Sequence, residues 1–263
     1  MNRKIVLNAD DFGLTKYHNM AVLKGYNNGV LAQASLMVNT ESFSEAVEDV
    51  MQNCARLNLG LHLNIMEGKA LTDCYLLTDK NGFFNKNYLY LMLNQYNKKL
   101  KEQIEKEFRA QIEKALQHGI KIDRLDSHVH THAIPELFKI TCKLAKEYGI
   151  GYVRTQFEKP YFVFPDCINT KFPINLIKVA LLDYFTLINR KTINEFNLKT
   201  NDNIIGVCYT GMMNRKTVLE GIKKNSGSLV EIVIHPCFYD DGRIDSHTKE
   251  FLITQDKAFC TQN

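Results

Sequence analysis

Short apolar runs alternate with longer amphipathic stretches along most of this chain, and the two periods separate strands from helices. KIVLNA at residues 4–9 is compact and β-rich, and Asp10-Asp11-Phe12-Gly13 marks the strand's edge and a turn. Helical spacing follows from Thr15 to Asn28, with a stop signal at Asn27-Asn28-Gly29. LAQASLMV predicts a second strand and LNLGLHLN a third; between them SFSEAVEDVMQN predicts a helix capped by Ser42, with Glu45 completing a capping box. This β, α, β, α, β order predicts a parallel sheet.

Residues 65–87 interrupt the alternation with a long connection, and connections of this length are often functional. A helix or helix pair is expected from Tyr88 to His118, then a strand in KIDRLDS, and Pro135 opens a helix that reaches Gly149. GYVRT predicts a fifth strand. Residues 156–175 read as an insertion or lid, and an apolar helix then runs to about Ile188. NIIGVCYTG, a helix over Lys216–Lys224 and SLVEIVIHP complete the pattern. About seven parallel strands interleaved with helices predict an α/β fold, a TIM-barrel-like and distorted (β/α) barrel. The chain reads as one domain over residues 1–263, with loop insertions near 65–87 and 156–200.

The polar positions that break this pattern cluster at strand ends. In LDSHVHTHAIP, residues 125–135, three histidines fall at alternate positions behind an Asp-Ser pair. A strand end there would project His128, His130 and His132 to one face, because side chains alternate with period two. Asp10, Asp11, His62, Arg154 and His235 also close predicted strands, where barrel active sites are built. Singly, an Asp-Asp pair more often starts a turn, and a lone histidine more often sits satisfied in a core. Together, one aspartate and two histidines make a catalytic divalent-metal set, and spacing leaves open which of the three clustered histidines bind. The spare carboxylate and His235 are then placed to act as base and acid.

Composition narrows the partners. Lys+Arg 33 against Asp+Glu 29 gives a formal charge of +4 with no basic block, so no nucleic-acid partner is expected. Seven widely spaced cysteines contain no CxxC pair, which fits a reduced compartment. The first apolar run is too short for a signal peptide, and no run approaches the roughly 20 apolar residues that span a bilayer. A cytoplasmic protein with no membrane partner is expected.

The motifs NADDFG, GLHLN, DSHVHTHAIP, VR and IHP, in this order, resemble the YdjC-like carbohydrate deacetylases over nearly the whole chain. The resemblance implies a TIM-barrel-like fold and metal-dependent hydrolysis of a C–N bond, removing acetyl from an N-acetylated amino sugar or short oligosaccharide. It aligns Asp11, His62 and His128 with the family's metal ligands, Asp10 with its general base and His235 with its general acid. Arg154 matches an arginine that steadies Asp10 or the substrate, and His130 and His132 take second-layer or substrate-binding places. One divalent ion is implied: magnesium appears in descriptions of the family, whereas two imidazoles and a carboxylate suit zinc, cobalt, nickel or iron. Cys237 and Phe238 depart from the family's usual glycine after His-Pro. The alternatives are a metal-dependent phosphoesterase and a non-catalytic sugar- or metal-binding barrel. The expected partner is a small carbohydrate; a homodimer is a further expectation, with the helix through Ile174–Ile188 either facing a second copy or packing on the barrel.

Overall fold

The computed structural model describes residues 3–238. Six strands pair in parallel: β1 (Lys4–Phe12), β2 (Gln33–Leu36), β3 (Asn58–Leu63), β4 (Arg124–Ser127), β5 (Asn203–Ile205) and β6 (Leu229–Ile234). Their order across the sheet is β4-β3-β2-β1-β6-β5. Among the described residues seven helices connect or flank them: α1 (Lys16–Asn27), α2 (Phe43–Asn53), α3 (Tyr88–Asn94), α4 (Lys98–Gln117), α5 (Pro135–Glu147), α6 (Lys171–Phe196) and α7 (Arg215–Lys224). Thr15 caps α1 by accepting a hydrogen bond from the His18 N–H, and Pro135 stands in the first turn of α5.

Alternation along the strands sorts the two faces. Leu59, Leu61 and Leu63 of β3 join Leu7, Ala9, Leu36 and Leu125 in the buried apolar core. The intervening positions carry Asn8, Asp10, Ser35, His62, Arg124 and Asp126, all buried and polar. These polar side chains meet one another across the inner face. The Arg124 guanidinium donates to Asn8 Oδ1, although β4 and β1 are separated by two strands, so the sheet curls into a half-barrel. Gly60 makes room for this: a Cβ there would lie 2.7 Å from Arg124 Cγ.

The expected TIM-barrel-like, distorted barrel of about seven strands is corrected to this six-stranded arc among the described residues. GYVRT contributes only isolated bridges, Leu125 with Val153 and Tyr152 with Lys199. Backbone bonds run as far as Arg154, whose N–H donates to the Leu125 carbonyl, and beyond it side chains take over: the Thr155 N–H donates to Asn201 Oδ1 and the Gln156 N–H to Thr186 Oγ1. NIIGVCYTG stops as a strand at Ile205 for the same reason. The N–H groups of Gly206, Val207 and Cys208 all donate to the buried Glu158 carboxylate. Burial pushes the Glu158 carboxyl up to about 7 despite these donors.

Two further expectations change. The apolar helix extends to Phe196, and by length and composition α6 could cross a bilayer. It packs on α5, and its Asn189 donates to the Ala133 carbonyl at 2.7 Å. The connection over residues 65–87 is fastened to α4, where Glu107 accepts from the Leu71 and Thr72 N–H groups. Cys54, Cys74, Cys142, Cys167 and Cys208 are free thiols, and Cys260 lies outside the described residues.

Candidate active site

Adjacent residues in a strand point to opposite faces, so Asp10 and Asp11 should part company. They do not, because the register of β1 against β2 shifts between Ala9 and Phe12, and Asp11 takes a left-handed φ of 63°. Such a bulge re-aims side chains, and here both carboxylates line one cavity. Gly13 follows with φ 92°, where a Cβ would lie 2.6 Å from the Met37 carbonyl.

The histidine run is also not a strand. β4 ends at Ser127, and His128–Ala133 form a short 3-10 segment with Val129 and His130 at φ 52° and 55°. The three imidazoles therefore diverge, which corrects the single face expected from alternation. His128 Nδ1 reaches Asp11 Oδ1 at 2.8 Å. His132 turns inward, where its Nε2 donates to the Arg154 carbonyl at 3.0 Å and its Nδ1 lies 2.5 Å from Ser127 Oγ. Burial pushes His132 down to about 4. His130 lines the cavity with its Nδ1 enclosed and without a hydrogen-bond partner.

His62 completes the cluster. Its Nε2 stands 3.3 Å from Asp11 Oδ1, and its Nδ1 stands 2.6 Å from Asp126 Oδ1. Sheet register makes the second contact, since His62 and Asp126 are paired neighbours on β3 and β4. Burial lowers the His62 pKa, but the Asp10 and Asp126 carboxylates outweigh it and raise the imidazole to about 10. Burial also raises the Asp11 carboxyl, and hydrogen bonds from His128 and His62 hold it well below the usual range.

Ligand atoms from Asp11, His62 and His128 lie within 4.8 Å of one another, and all three residues are buried. The donor set fits a divalent ion. A carboxylate fixes His62 through Nδ1 and directs Nε2 at the cluster, the arrangement by which metal-binding histidines are oriented. Asp10, His62 and Asp126 form a second group of suitable size. Asp11 and His128 line the cavity, whereas of the second group Asp10 alone does and Asp126 is occupied by Ser35, His62 and Arg154, so the first group is the more open to a ligand.

Arg154 is fully buried and does not line the cavity. It grips Asp10 with two hydrogen bonds, Nη1 to Oδ2 at 2.8 Å and Nη2 to Oδ1 at 2.9 Å. Glu231 and Asp126 hold the same guanidinium at 2.7 and 2.9 Å. Burial raises the Asp10 carboxyl and the Arg154 charge pulls it back below the ordinary value. Asn8 donates to Asp10 Oδ1 at 2.6 Å. Three of about four lone-pair sites on an ionised carboxylate are thus used, and one on Oδ2 is left. His235 is exposed at the mouth, beyond the end of β6, and lines the cavity. The cavity, of about 340 Å³, is walled by Val129, Leu181, Leu182 and Val207.

The chain matches the model of the YdjC-like protein family over residues 4–261. This chain belongs to the YdjC-like family. The YdjC-like chain is 30% identical over 220 residues to a carbohydrate deacetylase of Clostridium beijerinckii, covering 81% of this chain and 83% of that one. A carbohydrate deacetylase of Listeria monocytogenes is 29% identical over 243 residues, 90% of this chain and 83% of its own. A third, from Brevibacillus brevis, is 36% identical over 148 residues, 56% of this chain and just 57% of its own length. A solved Enterococcus faecalis structure, described as a cellobiose-phosphate cleavage protein, superposes with a TM-score of 0.73 at 20% identity. It covers 97% of this chain and 92% of that one, and at this identity it speaks to the fold alone.

Sequence reasoning passed over Asp126 as an orienting group and Glu67, whose Oε1 lies 3.6 Å from His128 Nε2. For Asp126 the signal is the pairing of GLHLN with RLDS, which requires the sheet order. No local pattern marks Glu67.

Proposed function

We propose that this chain is a metal-dependent carbohydrate deacetylase, a hydrolase that removes acetyl from an N-acetylated amino sugar or short oligosaccharide. One observation carries the reading: in a YdjC-like chain, the Asp11, His62 and His128 cluster opens into a cavity also lined by Asp10 and His235. When bound, a divalent ion at this cluster would polarise the amide carbonyl and acidify the attacking water. Asp10 accepts the proton of that water on its remaining Oδ2 site, and Arg154 keeps the carboxylate oriented. His235, at the mouth, hands a proton to the departing amine. The apolar walls exclude competing water. The two nitrogen donors and one oxygen favour zinc, cobalt, nickel or iron over magnesium.

A phosphoesterase needs a stronger grip on its anion; among the described residues, Lys178 is the single lysine or arginine lining the cavity. The test strips the protein of metal, restores one ion at a time and measures acetate release from N-acetylglucosamine and its oligomers. Acetate release restored by an ion is the expected result. Stoichiometric ion binding without acetate release, with phosphate released from phosphorylated sugars instead, overturns the reading.

A further inference from the structure

Tyr88 opens α3 at the exit of the long 65–87 connection, and its side chain lines the same cavity as Asp11 and His128. Its backbone is set firmly. Asn87 caps the helix by accepting from the Tyr90 N–H at 2.9 Å, and α3 packs on the 3-10 turn that carries the histidines. The Tyr88 hydroxyl is nevertheless enclosed and without a hydrogen-bond partner. Leaving such a group unpaired is costly, and native proteins do so rarely. His130 Nδ1, lining the same cavity, is left unpaired in the same way.

We infer that the Tyr88 hydroxyl is a sugar-binding group, which hydrogen-bonds a ring hydroxyl of the bound carbohydrate. The inference rests on the deacetylase reading of this site. The acetyl group has to reach the Asp11, His62 and His128 cluster, so the cavity walls meet the ring that carries it. A ring hydroxyl both donates and accepts, and can satisfy a phenol that burial keeps protonated. His130 then has a polar neighbour in the same ligand.

The test is Tyr88→Phe in the metal-loaded protein, assayed on N-acetylglucosamine oligomers and on a series of monodeoxy N-acetylglucosamines. A loss of about tenfold to a hundredfold in kcat/KM is expected, carried mainly by KM, with metal stoichiometry unchanged. Ligand-free Tm stays level or rises, because the variant removes an unpaired buried hydroxyl and no contact. One monodeoxy sugar shows the same loss with the unmodified protein and no further loss with Y88F, since both changes delete the same bond. If acetate is released normally and Y88F stays within twofold of the unmodified protein, Tyr88 has no sugar contact and the inference alone falls. If every monodeoxy sugar loses equally in both proteins, the ring-hydroxyl assignment is overturned. If the unmodified protein neither releases acetate nor binds any sugar of the panel by calorimetry, the deacetylase reading falls and takes this inference with it.

Discussion

Two groups of ionisable side chains share the inner face of the sheet and meet at His62, yet they end differently. Arg154, Asp10, Asp126 and Glu231, with Ser35 and Asn8, form a closed network in which one guanidinium serves three carboxylates. Asp11, His62 and His128 form an open one, in which two imidazole nitrogens converge on a single carboxylate oxygen beside a cavity. A closed network satisfies itself and specifies geometry. An open one has lone pairs to offer, and it can offer them only because its neighbour does not move. Asp126 belongs to both, holding His62 with one oxygen and Arg154 with the other.

The largest break should come from Arg154→Met. It leaves Asp10, Asp126 and Glu231 buried without their cation, a loss of about 3–5 kcal/mol or more, read as a lowered urea midpoint. A variant as stable as the original would mean the carboxylates find water or protonate at little cost. Asp11→Asn attacks the open group instead. Metal affinity should drop by more than about a hundredfold, beyond what loss of an orienting partner costs, while the urea midpoint of the metal-free protein falls by less than in Arg154→Met. Calorimetric titration with zinc or cobalt separates the two outcomes.

Asp10→Asn sharpens the boundary between the groups. Turnover should fall by about 10²–10⁴-fold with metal stoichiometry retained, as for a residue that moves a proton without binding the ion. Unchanged acetate release would remove Asp10 from its role. The smallest effect concerns protons. With a pKa of about 10, His62 is charged in the metal-free protein at pH 7, and an ion at Nε2 has to displace that proton. Titrations in buffers of different ionisation enthalpy should show about one proton released. Because the folded pKa lies above the unfolded value near 6.5, the stability His62 contributes is full below that value. It is lost as pH rises through about 10, so the metal-free Tm should decline over that interval.

Much of this arrangement was legible in the chain. Among the described residues the alternation of apolar runs and amphipathic stretches located the helices, and five of the six strands fall within predicted runs while β1 overruns its run as far as Phe12, because burial on one face imposes its period on the residues. The two over-predicted strands share one cause. The end of GYVRT with Gln156 after it, and the end of NIIGVCYTG, follow strand-like runs, but Asn201, Thr186 and Glu158 intercept their backbone N–H groups from distant parts of the chain. Composition reports what a segment can bury and says nothing of a competing acceptor about 50 residues away.

By itself the sequence determined which polar residues interrupt the apolar runs and that they gather at strand ends, since a parallel α/β order places those ends on one side. It also determined the family, through motifs in a distinctive order. The tertiary structure alone decided which histidines do what. Left-handed backbone at Asp11, Val129 and His130 overrides the period of two, sending His128 to Asp11, His130 to the cavity and His132 into the interior. It also decided that Asp126 orients His62, because that contact depends on the register of β3 against β4, and register is a property of two strands together.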